Sequence, residues 1–539
     1  MKSSNGSERT TCDVLIIGAG IAGLTAAIQL ADRGKNVIVI NRAFDPDESN
    51  TRYAQGGIVW WGADDSYELI ESDIDEAGDE VGGTTAIHII AEEGPVLVDS
   101  LLIKRLAVNF DRDAAGNLHR TLEGGHSRRR IIHVGDKTGA AIEEALSREV
   151  RSHPNIQVLA GHTAVDLVST THHSRKRGSV YQPTRILGAY VLDRKAREVR
   201  AILASYTIIA TGGVGGLYEY STNPEGARGD GIAMAGRAGA HVINMEYVQF
   251  HPTAFRKDGC PSFLISEAVR GEGAILLNDG GERFISKYCP GALELAPRDE
   301  VARGIFWEIQ NTKSKNVWLD CSPIIKKGID LEKRFPQIFT NCKNYGVDIR
   351  KEPIPIAPAA HFLCGGIRVD EWGRTNLLRL YAVGEASCTG LHGANRLAST
   401  SLLEGLVWGM RSAENIIGSY EQEHFDEWQI PDWDESYVVD SLVPKETLGK
   451  YLDELKRVMW EDVGIVRSEV SLSKAWRLLS SINIEVEELY RRAKLSDDLI
   501  GLRNGIEAAL EITTHARRNR ESRGVHFRED SVKTSGALV

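Results

Sequence analysis

The stretch Asp13-Val-Leu-Ile-Ile-Gly18-Ala19-Gly20-Ile21-Ala22-Gly23-Leu24 decides the fold of this chain of 539 residues. Its apolar run predicts a buried strand, and the glycines that follow have the spacing G-x-G-x-x-G. Residues 25–30 continue as a helix, and residues 37–40 predict a second strand. This order predicts a dinucleotide site, because the glycines let a pyrophosphate approach the backbone at a helix N-terminus.

The residues after the second strand depart from the usual dinucleotide pattern. Asn41-Arg42 stands where an acidic residue normally binds the ribose of NAD. The departure weakens NAD as the resident ligand and leaves the ribose contact open. A glycine turn with a purely structural role is the alternative, but the strand and the helix on its two sides argue against it.

Further along the chain, strand and helix signals predict an α/β fold in several parts. Residues 204–210 predict a strand that runs into Ala210-Thr211-Gly212-Gly213, a second place where glycine allows close approach of the backbone. Strand signals return at residues 366–369 and 380–383, after a segment with more proline and glycine and less periodicity. We therefore predict a cofactor-binding domain in two parts, residues 8–245 and 362–430, with an inserted domain over residues 246–361.

The C-terminal part, residues 440–539, is predicted to be helical. It overlaps the end of an acidic, proline-containing linker over residues 421–444. Apolar residues recur every three or four positions in three runs, over residues 448–463, 472–482 and 499–510. Three amphipathic helices of this kind form a small bundle.

The composition disfavours several classes of function. Lys and Arg number 64 and Asp and Glu number 75, and the resulting net charge of −11 argues against binding to nucleic acid. The basic run at residues 172–177 lies between two strand-like runs, which predicts a solvated hairpin loop. The seven cysteines include no C-x-x-C pair, which predicts reduced thiols and no metal site. No signal peptide and no transmembrane segment are visible, so a cytoplasmic protein is expected.

A second informative stretch is Leu391-His-Gly-Ala-Asn-Arg396-Leu-Ala-Ser-Thr-Ser401-Leu402-Leu-Glu404. Its apolar end predicts a helix that starts near Ser399, and a helix N-terminus attracts anions through its unpaired N–H groups. Arg396 adds a fork of donors that matches a carboxylate. The stretch therefore predicts a buried site for negative charge.

Four further clusters carry side chains that suit chemistry. Taken singly, each has an ordinary structural interpretation, such as a surface turn or a hydrogen-bonded core histidine. With Arg396 they supply several cationic or donor groups and one acceptor, the set that a four-carbon dicarboxylate with an ammonium group requires. The clusters are Glu123 in residues 122–130, His251 in 249–253, Ser266 in 264–273, and Arg298 in 296–299 together with His361 in 358–366.

Taken in their order along the sequence, these motifs resemble those of the succinate dehydrogenase and fumarate reductase flavoprotein family. The resemblance covers nearly the whole chain. The resemblance implies FAD as the cofactor. It also implies an α/β fold with a Rossmann-like FAD-binding domain, an inserted α+β capping domain and a C-terminal three-helix bundle. The motifs that carry it are Tyr53-Ala-Gln-Gly-Gly57, residues 249–253, Arg270-Gly-Glu-Gly273, Pro297-Arg298-Asp299 and Gly393-Ala-Asn-Arg396.

Two positions indicate the branch of this family that oxidises L-aspartate. Respiratory members attach FAD through a histidine, and Asn50 stands at that position, which implies noncovalent FAD. Glu123 resembles a glutamate of the aspartate-oxidising branch that faces the substrate amine. Ser266 and Thr400 replace the usual threonine and asparagine. Neither change removes a charge, so we expect altered affinity and retained activity.

The resemblance implies oxidation of L-aspartate to iminoaspartate, with a hydride passing from C2 to flavin N5 and oxygen or fumarate as the final acceptor. His251, Ser266, His361 and Arg396 would hold the carboxylates, with Glu123 near the amine. Arg298 would act in proton transfer or as an electrostatic stabiliser, although an arginine is a poor base without nearby cations or a carboxylate relay. The implied FAD contacts are Gly18, Ala19, Gly20, Ile21, Ala22, Gly23, Arg42, Asn50, Thr51, Arg52, Tyr53, Ala54, Gln55, Gly56, Gly57, Ala164, Val165, Thr211, Gly212, Asp230, Glu385, Ser401 and Leu402.

The family's product feeds quinolinate and hence NAD synthesis, so quinolinate synthase is an expected partner. A soluble fumarate reductase or a respiratory flavoprotein subunit is the first alternative, and Glu123 and the missing tethering histidine argue against it. A non-catalytic flavin-binding scaffold is the second. The intact set of His251, Arg298, His361 and Arg396 argues against a scaffold, because a non-enzyme has little reason to bury so many cations together.

Overall fold

The computed structural model describes residues 10–439 and 441–531. The expectation that the N-terminus carries no signal peptide falls largely on residues 1–9, which lie outside this description. Residue 440 and residues 532–539 of the predicted C-terminal domain also lie outside it. Within the described residues, no helix has both the length and the apolar character that a membrane crossing requires. The seven cysteines are unpaired thiols.

The described residues form nineteen strands. In chain order they are β1 (Thr10–Ile17), β2 (Val37–Asn41), β3 (Ile58–Val59), β4 (Arg120–Thr121), β5 (Ile131–Ile132), β6 (Ile156–Ala160), β7 (His162–Ser169), β8 (Ile186–Asp193), β9 (Glu198–Ile209), β10 (Val242–Ile243), β11 (Val248–Phe255), β12 (Ile275–Leu277), β13 (Val317–Asp320), β14 (Ile354–Leu363), β15 (Gly366–Arg368), β16 (Leu380–Ala382), β17 (Ser387–Cys388), β18 (Val466–Arg467) and β19 (Phe527–Arg528).

The same part of the chain forms fifteen α-helices. They are α1 (Ile21–Asp32), α2 (Tyr67–Ala77), α3 (Thr84–Leu97), α4 (Thr138–Ser152), α5 (Thr170–His173), α6 (Asp230–Ala238), α7 (Glu267–Gly271), α8 (Arg298–Thr312), α9 (Ser322–Lys326), α10 (Leu331–Arg334), α11 (Pro336–Asn344), α12 (Ser401–Gly418), α13 (Lys445–Asp462), α14 (Glu469–Arg492) and α15 (Asp497–Arg518).

The main sheet has the strand order β6-β2-β1-β9-β8-β7, and β16 pairs with β9. Strands β6, β2, β1, β9 and β16 run parallel, whereas β7, β8 and β9 form an antiparallel meander. Side chains alternate along β1, so that Leu15 and Ile17 enter one core and Val14 and Ile16 enter the other. The carboxyl ends of the parallel strands meet at one edge, where sheets of this kind bind their ligands.

The inserted segment builds a sheet of its own. Strands β11, β14, β13 and β12 pair in that order, and all three pairings are antiparallel. A separate apolar core, which includes Phe284 and Phe335, fills the space between this sheet and its helices. This segment lies over the carboxyl edge of the main sheet and supplies the second wall of the site.

Helices α13, α14 and α15 pack on one another as the three-helix bundle that the sequence predicted. Leu448, Leu455 and Met459 of α13 are buried in its core. Two residues of the predicted apolar pattern lie at the rim instead, because Leu452 is 36% and Trp476 is 39% exposed. The predicted architecture is therefore confirmed: a Rossmann-like α/β part with an inserted α+β segment and a C-terminal helical bundle.

Candidate active site

A large cavity runs from the carboxyl edge of the main sheet to the sheet of the inserted segment. Its volume, open mouth included, is about 1790 Å³. The turns that follow β1, β2, β9 and β16 line one end, and side chains from β11, β14 and α8 line the other. The predicted cofactor residues and the predicted substrate residues therefore share one continuous space.

The turn after β1 has the shape that a dinucleotide requires. Gly18 has a φ of +118°, and a Cβ there would overlap the carbonyl oxygen of Ala210 at the end of β9. A Cβ on Gly23 would overlap the carbonyl oxygen of Gly18, so Gly23 lets α1 pack close to the turn. The N-terminus of α1 faces the cavity through Gly20 and Ile21, and its dipole suits a pyrophosphate. These residues fit FAD.

Most of the predicted cofactor residues line the cavity, but Gly23, Arg52 and Val165 do not. Gly23 acts in packing, and Arg52 turns to the surface, where its Nη1 lies 2.8 Å from Asp45 Oδ2. Val165 is buried in the core of the main sheet. Its neighbours Thr163 and Ala164 line the cavity, whereas Val165 is 1% exposed and packs in that core. The residues that line it as predicted are Gly18, Ala19, Gly20, Ile21, Ala22, Arg42, Asn50, Thr51, Tyr53, Ala54, Gln55, Gly56, Gly57, Ala164, Thr211, Gly212, Asp230, Glu385, Ser401 and Leu402.

The residues after β2 are engaged in contacts of their own. Asn41 Nδ2 donates to the carbonyl oxygen of Pro46 over 3.0 Å, which shapes the loop beside the cavity. Arg42 lines the cavity, and its Nη1 donates to Asp497 Oδ2 over 3.1 Å. Asn50 Nδ2 donates to Glu385 Oε2 over 3.1 Å. An amide side chain cannot form the histidyl bond to FAD that the respiratory members use.

At the other end of the cavity, two arginines share one acceptor. Arg298 Nη1 and Arg396 Nη2 donate to Gln249 Oε1 over 3.3 Å and 3.2 Å. The amide nitrogen of Gln249 is held in turn, because it donates to Asn395 Oδ1 over 2.7 Å and to the carbonyl oxygen of Arg396 over 2.9 Å. Burial and the nearby Arg298 lower the pKa of Arg396. An incoming carboxylate would relieve this repulsion.

A buried glutamate joins Arg298 to another arginine. Arg298 Nε donates to Glu267 Oε2 over 2.7 Å, and Arg270 Nη2 lies 3.6 Å from the same oxygen. Glu267 and Arg270 lie three residues apart on α7 and therefore share one face. Burial alone would favour protonation of Glu267, but Arg298 and Arg270 outweigh it and lower its pKa to about 2. Arg298, Glu267 and Arg270 therefore form a buried row in which one carboxylate contacts two guanidiniums, the arrangement that a carboxylate relay would need.

Two histidines from neighbouring strands pack against each other at the wall of the cavity. His251 of β11 and His361 of β14 have ring centroids 5.0 Å apart. The backbone of Thr253 holds Nδ1 of His251, with its nitrogen and its oxygen both at 3.2 Å. Thr222 Oγ1 lies 2.7 Å from Nδ1 of His361. Burial and nearby cations hold the pKa of both imidazoles well below the usual value, so both are neutral at pH 7.

Glu123 lies at the same end of the cavity and is 5% exposed. Ser399 Oγ donates to Glu123 Oε2 over 2.6 Å and accepts from the N–H of Gly57 over 3.2 Å. Burial and the neighbouring Glu267 raise the pKa of Glu123. A cationic ligand would supply the charge partner that this carboxylate lacks.

The loop that carries Glu123, residues 122–130, is anchored inside the protein and is not a simple surface turn. His126 Nε2 donates to the carbonyl oxygen of Ala398 over 2.9 Å. Ser127 Oγ donates to Asp73 Oδ2 over 2.9 Å, and Arg130 Nη2 donates to Asp65 Oδ1 over 2.8 Å. These contacts fix the loop, so His126 and Arg130 serve to present Glu123.

The helix after Arg396 begins later than the sequence predicted. Helix α12 starts at Ser401, and Ser399 has a φ of +59° and cannot belong to it. Ser401 Oγ accepts from Arg396 Nη1 over 3.2 Å. Ser399 therefore precedes the helix, and its side chain contacts Glu123. Ser266 lines the cavity as predicted and caps α7, because its Oγ accepts from the N–H of Ala268 over 3.3 Å.

Three residues of the site were not selected from the sequence. Gln249 lies two residues before His251, and this spacing along a strand places both on one face. Glu267 lies three residues before Arg270 in a short helix, which is also a usable signal. Thr222 carried no comparable signal, because it reaches His361 from a distant segment of the chain.

Two family models match the chain. The FAD binding domain covers residues 13–402, and the fumarate reductase flavoprotein C-terminal domain covers residues 452–535. FAD is therefore the cofactor. Among solved structures, an E. coli quinol fumarate reductase superposes with a TM-score of 0.84 at 28% identity, covering 98% of this chain and 92% of the other.

Curated relatives match over nearly the full length. L-aspartate oxidase 1 of Ralstonia nicotianae is 44% identical over 525 residues, which span 97% of this chain and 96% of the relative. The L-aspartate oxidase of Halobacterium salinarum is 41% identical and covers 98% of this chain and 99% of its own length. The chain belongs to the L-aspartate oxidase family, within the flavoproteins related to succinate dehydrogenase and fumarate reductase.

Proposed function

We propose that this protein catalyses the FAD-dependent oxidation of L-aspartate to iminoaspartate. The observation that carries the proposal is the placement of Glu123. This buried carboxylate faces the same space as two guanidiniums and two neutral imidazoles. An amino acid with two carboxylates matches that set of charges, whereas succinate would leave Glu123 without a cationic partner.

The donors around the cavity are placed to bind both carboxylates. Arg396 and Arg298 are cations with a common anchor on Gln249. His251, His361 and Ser266 add neutral donors. Charge-assisted hydrogen bonds in a dry site are strong, and the donors are already fixed before the substrate arrives. Binding to these donors would orient C2 of the substrate.

The hydroxyl of Thr222 determines which nitrogen of His361 carries the proton. The carbonyl oxygen of Ala360 already accepts from the N–H of Thr222 over 3.0 Å and lies 3.4 Å from its hydroxyl. The contact of this hydroxyl with Nδ1 of His361 is much shorter, at 2.7 Å. We infer that Thr222 donates to Nδ1, which leaves the proton of neutral His361 on Nε2. That nitrogen is then a donor for a carboxylate of the substrate.

FAD, when bound, supplies the acceptor for the hydride that leaves C2 of the substrate. Asn50 and Glu385 lie beside its site, and because Asn50 replaces the tethering histidine we infer that FAD is held noncovalently. Glu123 pairs with the substrate ammonium and accepts its proton as the imine forms. Its raised pKa suits that role.

The relay Arg298–Glu267–Arg270 would serve the same site when fumarate is reduced. When fumarate is the acceptor, one of its carbons must receive a proton, and Arg298 is the cation that lines the cavity next to this relay. Glu267 contacts both Arg298 and Arg270, so it can pass a proton from Arg270 to Arg298 after Arg298 has given one up. We propose oxygen and fumarate as alternative acceptors on this basis.

We also propose which enzyme consumes the product. An imine of this kind hydrolyses in water, so a consumer of iminoaspartate must act quickly. Quinolinate synthase is the proposed recipient, in a cytoplasmic route to NAD. A pull-down of that enzyme by this chain, with the Glu123→Gln variant as bait control, tests a physical association.

An anaerobic titration tests the function and separates the alternatives. L-aspartate, and then succinate, is added to the purified yellow protein while the flavin absorbance is recorded. Bleaching by L-aspartate alone supports the proposal. Bleaching by succinate alone identifies a succinate dehydrogenase or fumarate reductase and overturns it. Absence of bleaching by either ligand identifies a flavin-binding scaffold.

A further inference from the structure

The C-terminal bundle touches the wall of the cofactor cavity from behind. The residues that line the cavity fall between positions 17 and 405, so α15 contributes none of them. Two polar side chains of α15 nevertheless reach residues that do line it. Asp497 and Asn504 are 7% and 0% exposed, and both point away from solvent into the FAD-binding domain.

Asp497, the first residue of α15, is the meeting point of several side chains. Its Oδ2 accepts from Arg42 Nη1 over 3.1 Å and lies 3.4 Å from Arg194 Nη2. Its Oδ1 accepts from Thr163 Oγ1 over 2.8 Å and from Arg228 Nη2 over 3.1 Å. Arg42 and Thr163 both line the cavity. One carboxylate thus gathers three guanidiniums that would otherwise repel one another.

Asn504, two turns further along α15, holds a second part of the wall. Its Nδ2 donates to Asp230 Oδ1 over 2.9 Å. The other oxygen of Asp230 accepts from Arg228 Nη2 over 2.9 Å. Asp230 lines the cavity at the N-terminus of α6. Both oxygens of this carboxylate are therefore oriented, one of them directly by α15.

We propose that α15 is a functional part of the FAD site and that Asp497 and Asn504 are positioning residues for the cofactor. They act through Arg42, Thr163 and Asp230, which form the wall that FAD contacts. Without Asp497, the guanidiniums of Arg42, Arg194 and Arg228 lose their common partner and repel one another, which displaces Arg42 from its position in the cavity wall. Without Asn504, one oxygen of Asp230 loses its donor. Either change raises the dissociation constant of FAD.

The same contacts require an effect in the reverse direction. Two coupled equilibria influence each other equally, so FAD bound against Arg42 and Asp230 must stabilise the docking of α15. The amide protons of α15 are therefore expected to exchange more slowly in the FAD-loaded protein than in the flavin-free protein. This prediction concerns a helix that makes no contact with the cavity.

Titration of FAD into the flavin-free full-length protein, followed by flavin fluorescence, tests the proposal. We expect Asp497→Asn and Asn504→Leu each to raise the dissociation constant by about tenfold, as for loss of a buried polar contact. The matched control is Asp498→Asn, which removes an exposed charge from the same helical turn. It should stay within about twofold of the wild type, because helix-dipole effects at exposed sites are small.

Two further measurements separate a positioning role from general damage. At saturating FAD, the KM for L-aspartate of both variants should equal that of the wild type, because no substrate contact changes. Hydrogen exchange of α15 in the wild type should slow when FAD is added. Unchanged FAD affinity in both variants overturns the proposal. So does tighter binding by Asp497→Asn, which would mean that Asp497 only shields the arginines from the phosphates. Unchanged exchange of α15 also contradicts it.

Discussion

Nε of Arg298 donates to Oε2 of Glu267 over 2.7 Å, and both side chains are buried beside the cavity. The pair changes what the arginine can do. An isolated guanidinium holds its proton too tightly to exchange it during turnover. A carboxylate in direct contact, itself shared with Arg270, links the two guanidiniums, so that a proton given up by Arg298 can be replaced along this row.

Replacing Glu267 should therefore lower the rate of the chemical step without changing the binding of the dicarboxylate. We expect Glu267→Gln to lower kcat for fumarate reduction by about 10²- to 10⁴-fold, the usual contribution of positioned proton transfer. Succinate should bind as tightly as before, because Glu267 makes no carboxylate contact. Stopped-flow reduction and a succinate titration measure the two effects. A kcat within threefold of the wild type would remove Glu267 from the proton path.

Glu123 should determine the preference for an amino acid. Glu123→Gln is expected to raise the KM for L-aspartate by about 30-fold or more, the cost of losing one partner of a buried charge pair. Its effect on inhibition by succinate should be small. In the wild type, the KM for L-aspartate should fall as the pH rises through the raised pKa of Glu123, since only the ionised carboxylate pairs with the ammonium. A variant that retains this pH dependence would contradict the assignment.

Thr222 should act only through its hydroxyl. Thr222→Val keeps the shape but leaves Nδ1 of His361 without its donor. We expect the KM for L-aspartate to rise about fivefold, because one hydrogen bond contributes about 1 kcal/mol. Thr222→Ser, the matched control, retains the hydroxyl and should behave like the wild type. Equal kinetics for Val and Ser at this position would show that the tautomer of His361 is not set by residue 222.

Arg396 should be required for substrate binding but not for the flavin. We expect Arg396→Leu to raise the KM for L-aspartate by about 100-fold and to lower kcat, because a charge-assisted contact to a carboxylate is lost. The protein should remain yellow, since the turns after β1 and β9, which fit FAD, do not depend on Arg396. Flavin absorbance per chain and steady-state kinetics check both points. Unchanged kinetics would exclude Arg396 from the site.

Noncovalent FAD is tested without mutation. Acid precipitation of the protein should leave the yellow colour in the supernatant, because Asn50 offers no ring nitrogen for a bond to the flavin. The Asn50→His variant can be precipitated in parallel as a comparison. In the wild type, Glu385 accepts from the amide of Asn50 and Asn223 donates to it. Colour in the wild-type pellet would contradict the prediction.

The glycine turn after β1 shows what could be predicted from the sequence. Gly18 and Gly23 occupy positions where any Cβ would overlap backbone, so their spacing reports a local geometry directly. The three C-terminal helices were predictable for a similar reason, because their apolar spacing is local. Arg52 shows the limit. It lies within a cofactor motif, yet Asp45 draws it to the surface.

The contacts that could not be predicted join distant parts of the chain. Ser399 reaches Glu123 across 276 positions, and Thr222 reaches His361 across 139. No local pattern encodes such pairs, because each forms only when segments far apart in the sequence have packed together. The helix α12 was predicted to start near Ser399 and starts at Ser401. The reason is local: Ser399 has a left-handed backbone conformation, which is uncommon for serine and could not be predicted from its side chain.

The amide of Gln249 has a consequence for substrate length. Its one oxygen accepts from both Arg298 and Arg396, so the separation of the two guanidiniums is set by a third, neutral side chain. A five-carbon acid such as L-glutamate is one carbon longer than L-aspartate, and a fixed separation of the two guanidiniums leaves less freedom to accommodate it. We therefore expect Gln249 to contribute to a preference for the four-carbon acid over its longer homologue.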